Sequence, residues 1–276
     1  MKIAFQGNRG AYSEEALYKY MQRRDVEALG FELSEQVVEA VEADEAVMGI
    51  LPVENSIVGN VAVNTDLFFS HDIFAIGEVF LPIHHCLLAR PGVKIEDIKS
   101  VHSHPIALAQ CRDFINRHNM RSIPDFDTAG ACKLLIDRNS LDQGTIASKL
   151  CKEYYDVEIL DDDVQKVQHN ITRFLIFVKS SEVPSTLNKE KTSLAFTTKH
   201  HPGALLNSLQ KFAKNDINLT KLESRPIPEN PFAYTFFVDF LGSTESQSVI
   251  QCLDDLSQDA KDIKILGCYP AGEKAH

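Results

Sequence analysis

Six consecutive residues, His169-Asn170-Ile171-Thr172-Arg173-Phe174, bring an imidazole, an amide, a hydroxyl and a guanidinium to the head of the apolar run from Phe174 to Val178. The run reads as a buried strand. Polar side chains have no packing reason to stand before it, whereas a pocket at a strand end does need them. The simpler alternative is a loop entering an edge strand, with Thr172 filling a β-favoured position. On these six residues alone that alternative is the better one.

Similar polar clusters recur along the chain, each at the end of a short apolar stretch. Gly7-Asn8-Arg9-Gly10-Ala11-Tyr12-Ser13 follows Ile3-Ala4-Phe5, and a strand, glycine turn and helix start can offer backbone N–H groups to an anion. Glu54-Asn55-Ser56 closes the continuous apolar stretch from Ala46 to Val53. Its plainest role is to cap the next helix, around Val61 to Phe69. Ser103-His104-Pro105 opens a helix expected to run to about His118, with Pro in the first turn. Ser103 and Gln110 stand close to two helical turns apart and so share a face. Asp127-Thr128-Ala129-Gly130-Ala131 caps a helix through Leu135, again gathering a hydroxyl and free N–H groups.

The elements that must position these clusters alternate as strand, polar turn and helix. That order implies an α/β domain with a largely parallel sheet, in which ligands bind at the C-terminal strand ends. Helices are expected at Val37 to Ala43 and Lys149 to Tyr154, and strands at Ile73 to Val79, Pro82 to Ala89 and Met120 to Pro124. The polar, proline-containing stretch 181–191 reads as a linker. Beyond it the order is βαββαβ, the ferredoxin-like plan.

The 276 residues are 44% hydrophobic and 24% charged, an ordinary globular balance. No apolar run approaches the roughly 20 residues of a membrane helix. Met1-Lys2 leads directly into a strand, so no signal peptide and a cytoplasmic location are expected. The six cysteines show no C-x-x-C spacing, and neither a zinc site nor a disulfide framework is expected. The Gly7/Gly10 pair is too closely spaced for a dinucleotide fingerprint. A net charge of −11 argues against nucleic acid. Most of it lies early, where the first 185 residues hold 18 Lys and Arg against 28 Asp and Glu.

Taken in order, these motifs, with Pro202-Gly203-Ala204-Leu205 and Glu223-Ser224-Arg225-Pro226 further on, resemble the prephenate dehydratase family. The resemblance covers nearly the whole chain. It implies a two-lobed, periplasmic-binding-protein-like catalytic domain over 1–180, with lobes of about 1–78 plus 160–180 and 79–159. A ferredoxin-like ACT regulatory domain follows over 192–276. The implied reaction converts prephenate to phenylpyruvate without cofactor or metal.

The residues implied for catalysis are Thr172, Asn55, Ser103, Gln110 and Glu54, with Thr172 at the departing hydroxyl. Ser13, Ser56, Thr128, Ala129, Arg173 and Phe174 are implied for substrate binding. Thr172 and Arg173 are adjacent, and both enter a pocket only if the strand begins after them. Gly203, Ala204, Leu205, Glu223, Ser224 and Arg225 are implied to bind phenylalanine as an effector between subunits, hence a dimer or dimer of dimers. Departures such as Asn8-Arg9 and Ile106 leave arogenate, the amino-acid analogue of prephenate, as an alternative substrate. The rival class is a non-enzymatic receptor or amino-acid sensor of the same fold.

Overall fold

A computed structural model describes residues 1–199, 201–227 and 230–273. The chain runs β1 (Lys2–Gln6), α1 (Tyr12–Met21), β2 (Glu27–Phe31), α2 (Ser34–Glu42), β3 (Met48–Asn55), β4 (Gly59–Asn60), α3 (Ala62–Ser70) and β5 (Ile73–Pro82). It continues as β6 (Cys86–Ala89), β7 (Ser100–Ser103), α4 (Pro105–Gln110), α5 (Arg112–Arg117), β8 (Arg121–Pro124) and α6 (Thr128–Arg138). Then come β9 (Gln143–Ala147), β10 (Glu158–Asp161) and β11 (Ile171–Lys179). The rest is β12 (Lys191–Thr198), α7 (Ala204–Lys214), β13 (Leu219–Ile227), β14 (Asn230–Leu241), α8 (Gln247–Ser257) and β15 (Ala260–Tyr269). Two compact units result, Met1–Asn64 with Val79–Phe174 and Thr65–Glu78 with Leu175–Glu273.

The first unit holds two sheets. In one, β1 lies between β2 and β3 and is parallel to both, and β11 lies on the far side of β3. Strands flanked on both sides need apolar residues on both faces, which is why Ile50, Leu51 and Val53 of β3 are all buried. The two-residue β4 folds back on β3 and sets Asn55 opposite Gly59. The other sheet has the order β10-β6-β9-β7-β8. It is mixed rather than largely parallel as expected: β7 runs parallel to β8 and β9, while β6 is antiparallel to β9 and β10. Its core gathers Leu87, Val101, Ile115 and Ile146, each contributing roughly 2 kcal/mol by burial.

Several element boundaries differ from expectation. β2 was not foreseen, because Glu27-Ala28-Leu29-Gly30-Phe31 has no clean alternation and only Ala28 is buried. The helix expected to reach His118 breaks at Cys111, whose φ of −104° and ψ of 11° leave the helical region. Lys149–Glu153 is a 3-10 turn, not an α-helix. Most consequential, β11 begins at Ile171 rather than at Phe174.

In the second unit β13-β14-β12-β15 form an antiparallel βαββαβ layer. Phe196, Phe212, Phe236, Phe240 and Leu256 fill the space beneath α7 and α8. The unit does not begin at the expected linker, because 65–78 packs within it. β15 pairs with β5 at Gly267 and Ala75, and any side chain at 267 would press on the Ala75 carbonyl at 2.6 Å. Lys191 Nζ reaches the Glu78 carboxylate at 2.8 and 3.1 Å, and both residues are buried.

Candidate active site

The glycine turn after β1 is built around a buried carboxylate. Glu14 accepts from Gly10 N at 2.6 Å, Tyr18 OH at 2.9 Å and Tyr154 OH at 3.1 Å, and Arg9 pairs with it at 2.6 Å. Ala11 is the N-cap of α1, and Ser13 lies inside its first turn. Gly10 has a φ of +89°, and a Cβ there would stand 2.8 Å from Cys151 Sγ. Only glycine fits.

Above this turn, within the first unit, a cavity of about 520 Å³ opens. Gln6, Gly7, Tyr12, Ser13, Asn55, His85, Gln110, Thr128, Asn170, Thr172 and Phe174 all line it. A hydrogen-bonded chain crosses its floor. Asn55 Nδ2 donates to Thr172 Oγ1 at 2.9 Å and to Asn170 Oδ1 at 2.7 Å. Asn170 Nδ2 donates to Gln110 Oε1 at 3.0 Å, and His85 Nε2 stands 2.7 Å from the same oxygen.

Because an amide oxygen only accepts, the His85 proton sits on Nε2. Burial pushes His85 down to about 4, so the ring is neutral near pH 7 and its Nδ1 is bare. Tyr12 OH stands 2.8 Å from that nitrogen and 2.9 Å from the His84 carbonyl, two acceptors for its one proton, and burial keeps the phenol protonated. Asn55 Oδ1 accepts from the backbone N–H of Ile57 and Val58, each at 3.0 Å, which fixes the amide's orientation. Thr172 Oγ1 thus receives a donor, and its own proton is left to point elsewhere.

Strand alternation sorts the remaining expected residues. With β11 starting at Ile171, Thr172 and Phe174 line the cavity and Arg173 does not. Arg173 is 4% exposed and pairs with Glu54 at 3.6 Å. Glu54, next to Asn55 on β3, is likewise outside the lining. The structure thus does not bring Arg173 or Glu54, expected in substrate binding and catalysis, to the cavity lining.

Ser103 ends β7 rather than starting a helix, and its hydroxyl donates to the Ile146 carbonyl at 2.5 Å. It is fully buried and does not line the cavity, so it shares no helix face with Gln110. His104 caps α4 instead, its ring accepting from Ile106 N at 3.2 Å. Ser56 clips the strand ends, donating to His169 O at 3.0 Å and accepting from Ile171 N at 2.9 Å. Ala129 is buried behind Thr128.

Tyr12, His85 and Asn170 were not among the expected functional residues. For His85 the signal was a polar His84-His85 pair interrupting an apolar stretch. Among the described residues no cluster of three or more His, Cys, Asp and Glu could hold a metal ion.

In the second unit, Gly203, Ala204 and Leu205 line a pocket of about 230 Å³ with Thr198, Lys199 and Tyr234. Glu223, Ser224 and Arg225 lie on β13 outside it. Arg225 makes a paired contact with Asp66, the shorter at 2.8 Å, and Glu223 faces Lys221 at 3.6 Å.

An α/β unit with a cavity lined by amides, hydroxyls, imidazoles and the carboxylates Glu32 and Asp127 defines a small-molecule site of the cleft type. Residues 3–182 match the family described as prephenate dehydratase. Arogenate dehydratase/prephenate dehydratase 1 of Arabidopsis thaliana is 39% identical over 285 residues, covering 98% of this chain and 72% of the relative. A prephenate dehydratase from Arthrobacter aurescens, solved in complex with L-Phe, superposes with a TM-score of 0.89 at 29% identity, covering 98% and 90% of the two chains. A structure described as GqqA, a novel type of quorum quenching acylase, also gives 0.89, at 33% identity and 98% coverage of both chains. The chain belongs to the prephenate dehydratase family.

Proposed function

We propose that the cavity converts prephenate to phenylpyruvate, CO2 and water, with Thr172 donating a hydrogen bond to the departing hydroxyl. The ring carboxylate leaves with its C–C electron pair entering the ring, the C–O pair leaves with the hydroxyl, and one proton is taken up to form water. Aromatisation drives the reaction, so positioning and one directed donor are what the protein must supply. The observation that carries this reading is the Asn55-to-Thr172 hydrogen bond, which occupies a Thr172 lone pair and turns its proton toward the cavity. Gln110, His85, Asn170 and Tyr12 hold Asn55 and Thr172 in register, and Ser13 and Thr128 are donors for substrate carboxylates.

Acyl-amide hydrolysis fits the site less well. A threonine nucleophile needs an adjacent base, and the group beside Thr172 is an amide donor.

We further read the 1–180 segment as the catalytic domain and 192–276 as an ACT domain. Phenylalanine is its effector at the Gly203 turn, in at least a dimer, in a cytoplasmic protein whose six cysteines stay free. Purified protein incubated with prephenate should form phenylpyruvate, read by its absorbance in alkali. Thr172→Ala should lower kcat roughly 10²–10⁴-fold with KM nearly unchanged. Near-normal turnover in that variant would reduce Thr172 to a strand residue.

A further inference from the structure

The cavity has acids in a wall that is to receive a dianion. Among its described lining residues there is no Lys or Arg, and the carboxylates are Glu32 and Asp127. Glu32 is exposed, where solvent and salt screen it. Asp127 is half-buried and stands directly before Thr128 at the start of α6. Its charge reaches the neighbouring wall: burial lowers the His104 pKa, and Asp127 raises it. Both of its oxygens are nevertheless engaged. Oδ1 accepts from Gly130 N, and Oδ2 accepts from Asn8 Nδ2 at 2.7 Å.

Asn8 comes from the glycine turn after β1, 119 residues away in sequence, and takes no part in the hydrogen-bonded chain of the cavity floor. The backbone of the turn places it, since Ala11 N donates to Asn8 O at 3.0 Å. A carboxylate only accepts, so the Asn8 amide presents its NH2 group. The first turn of α6 leaves room for that group with a glycine. A Cβ at Gly130 would stand 2.9 Å from Asn8 Nδ2 and 3.2 Å from each Asp127 oxygen. Three residues from two distant segments thus build one contact.

We infer that Asn8 is a positioning residue for the substrate site: it holds the Asp127 carboxylate against the start of α6 and so keeps that charge off a dianion bound beside Thr128. The inference rests on the dehydratase reading above and adds to it how an acid is tolerated in the wall. A hydrogen bond to an ionised acceptor is about twice as strong as one between neutral groups, enough to fix the carboxylate's orientation. With the amide gone, Oδ2 is free to turn toward the cavity, and like charges then oppose binding. Bond breaking at Thr172 is untouched, so the effect falls on KM.

The test is steady-state kinetics of the full chain on prephenate for wild type, Asn8→Ala, Asp127→Asn and the double variant. Asn8→Ala should raise KM roughly five- to tenfold and leave kcat within about twofold. Asn caps a helix as well as Asp does, so Asp127→Asn keeps α6 and removes the charge. In that background Asn8→Ala should change KM by less than about twofold. Removing a charge would not rescue a mere loss of packing. Equal rises in KM with Asp or Asn at 127, or no rise in Asn8→Ala, overturn the role of Asn8. Wild-type protein inactive on prephenate overturns the dehydratase reading, and the inference with it.

Discussion

Asn55 on β3 donates to Thr172 Oγ1 on β11 across 2.9 Å, so the hydroxyl accepts in this contact and keeps its own proton for another partner. In the proposed mechanism, removing Asn55 frees the hydroxyl to rotate, and its donation to the substrate loses that constraint. Asn55→Ala should lower kcat roughly 10²-fold. The Asn55→Ala/Thr172→Ala double variant should be little worse than Thr172→Ala alone, because groups acting as a unit are non-additive. Steady-state kinetics on the four proteins decides it. Additive losses would mean that Asn55 acts through something other than Thr172.

The same pair of strands shows what was legible in the sequence. Thr172, Asn55 and Gln110 stood out because polar residues at strand and helix ends need a reason to be there. The βαββαβ order was readable because each element has its own apolar period. Whether a given residue faces the cavity was not readable, since that depends on where a strand starts: β11 beginning at Ile171 sends Thr172 inward and Arg173 to Glu54. Where Ser103 points was unreadable for a related reason, its hydroxyl being bonded to the carbonyl of Ile146 on β9, 43 residues away. His85 was missed because its partners, Tyr12, Gln110 and Gln165, come from three distant segments.

His85 makes stability depend on pH. Its pKa is near 6.5 when exposed and about 4 when folded, lowered by burial. Between those values the unfolded chain binds the extra proton, so stability is full above about pH 6.5 and is lost as pH falls toward 4. The whole window is worth about 3 kcal/mol. His85→Gln should flatten this acid slope by up to one proton, while losing about 1 kcal/mol at pH 7 through the Tyr12 and Gln110 bonds. Urea unfolding at pH 7 and pH 4.5 measures both, and identical slopes in the two proteins would refute the assignment.

Lys191 and Glu78 form a buried ion pair in the second unit, and Gly272 N also donates to Glu78 at 2.9 Å. Glu78→Gln leaves the ammonium buried without its counter-charge and should destabilise the fold by about 3 kcal/mol. Replacing both partners, as Glu78→Leu with Lys191→Met, should recover most of that loss, since well-packed apolar pairs substitute for buried charges at little cost. Denaturant midpoints of the three proteins are the measurement. A double variant less stable than Glu78→Gln would show that the pair's other contacts, rather than its charge balance, hold 65–78 in place.

In the reading proposed above, phenylalanine control would turn on the backbone at Gly203. This residue caps α7 with a φ of +83°; Ala204 N donates to the His201 carbonyl at 3.2 Å, and Leu205 and Leu206 of the same helix start line the pocket, where first-turn N–H groups suit an amino-acid carboxylate. A Cβ at 203 would meet no atom within 4 Å, so Gly203→Val is not excluded by packing. It carries only the strain of a left-handed β-branched residue, roughly 1–2 kcal/mol, and puts methyl groups where the ligand backbone must approach. The ratio of rates with and without millimolar phenylalanine should fall well below one in wild type and return to one in Gly203→Val. Calorimetry should lose the phenylalanine signal in parallel. If the variant still binds phenylalanine and is still inhibited, the effector sits elsewhere, and the Gly203 turn is only the entry to a helix.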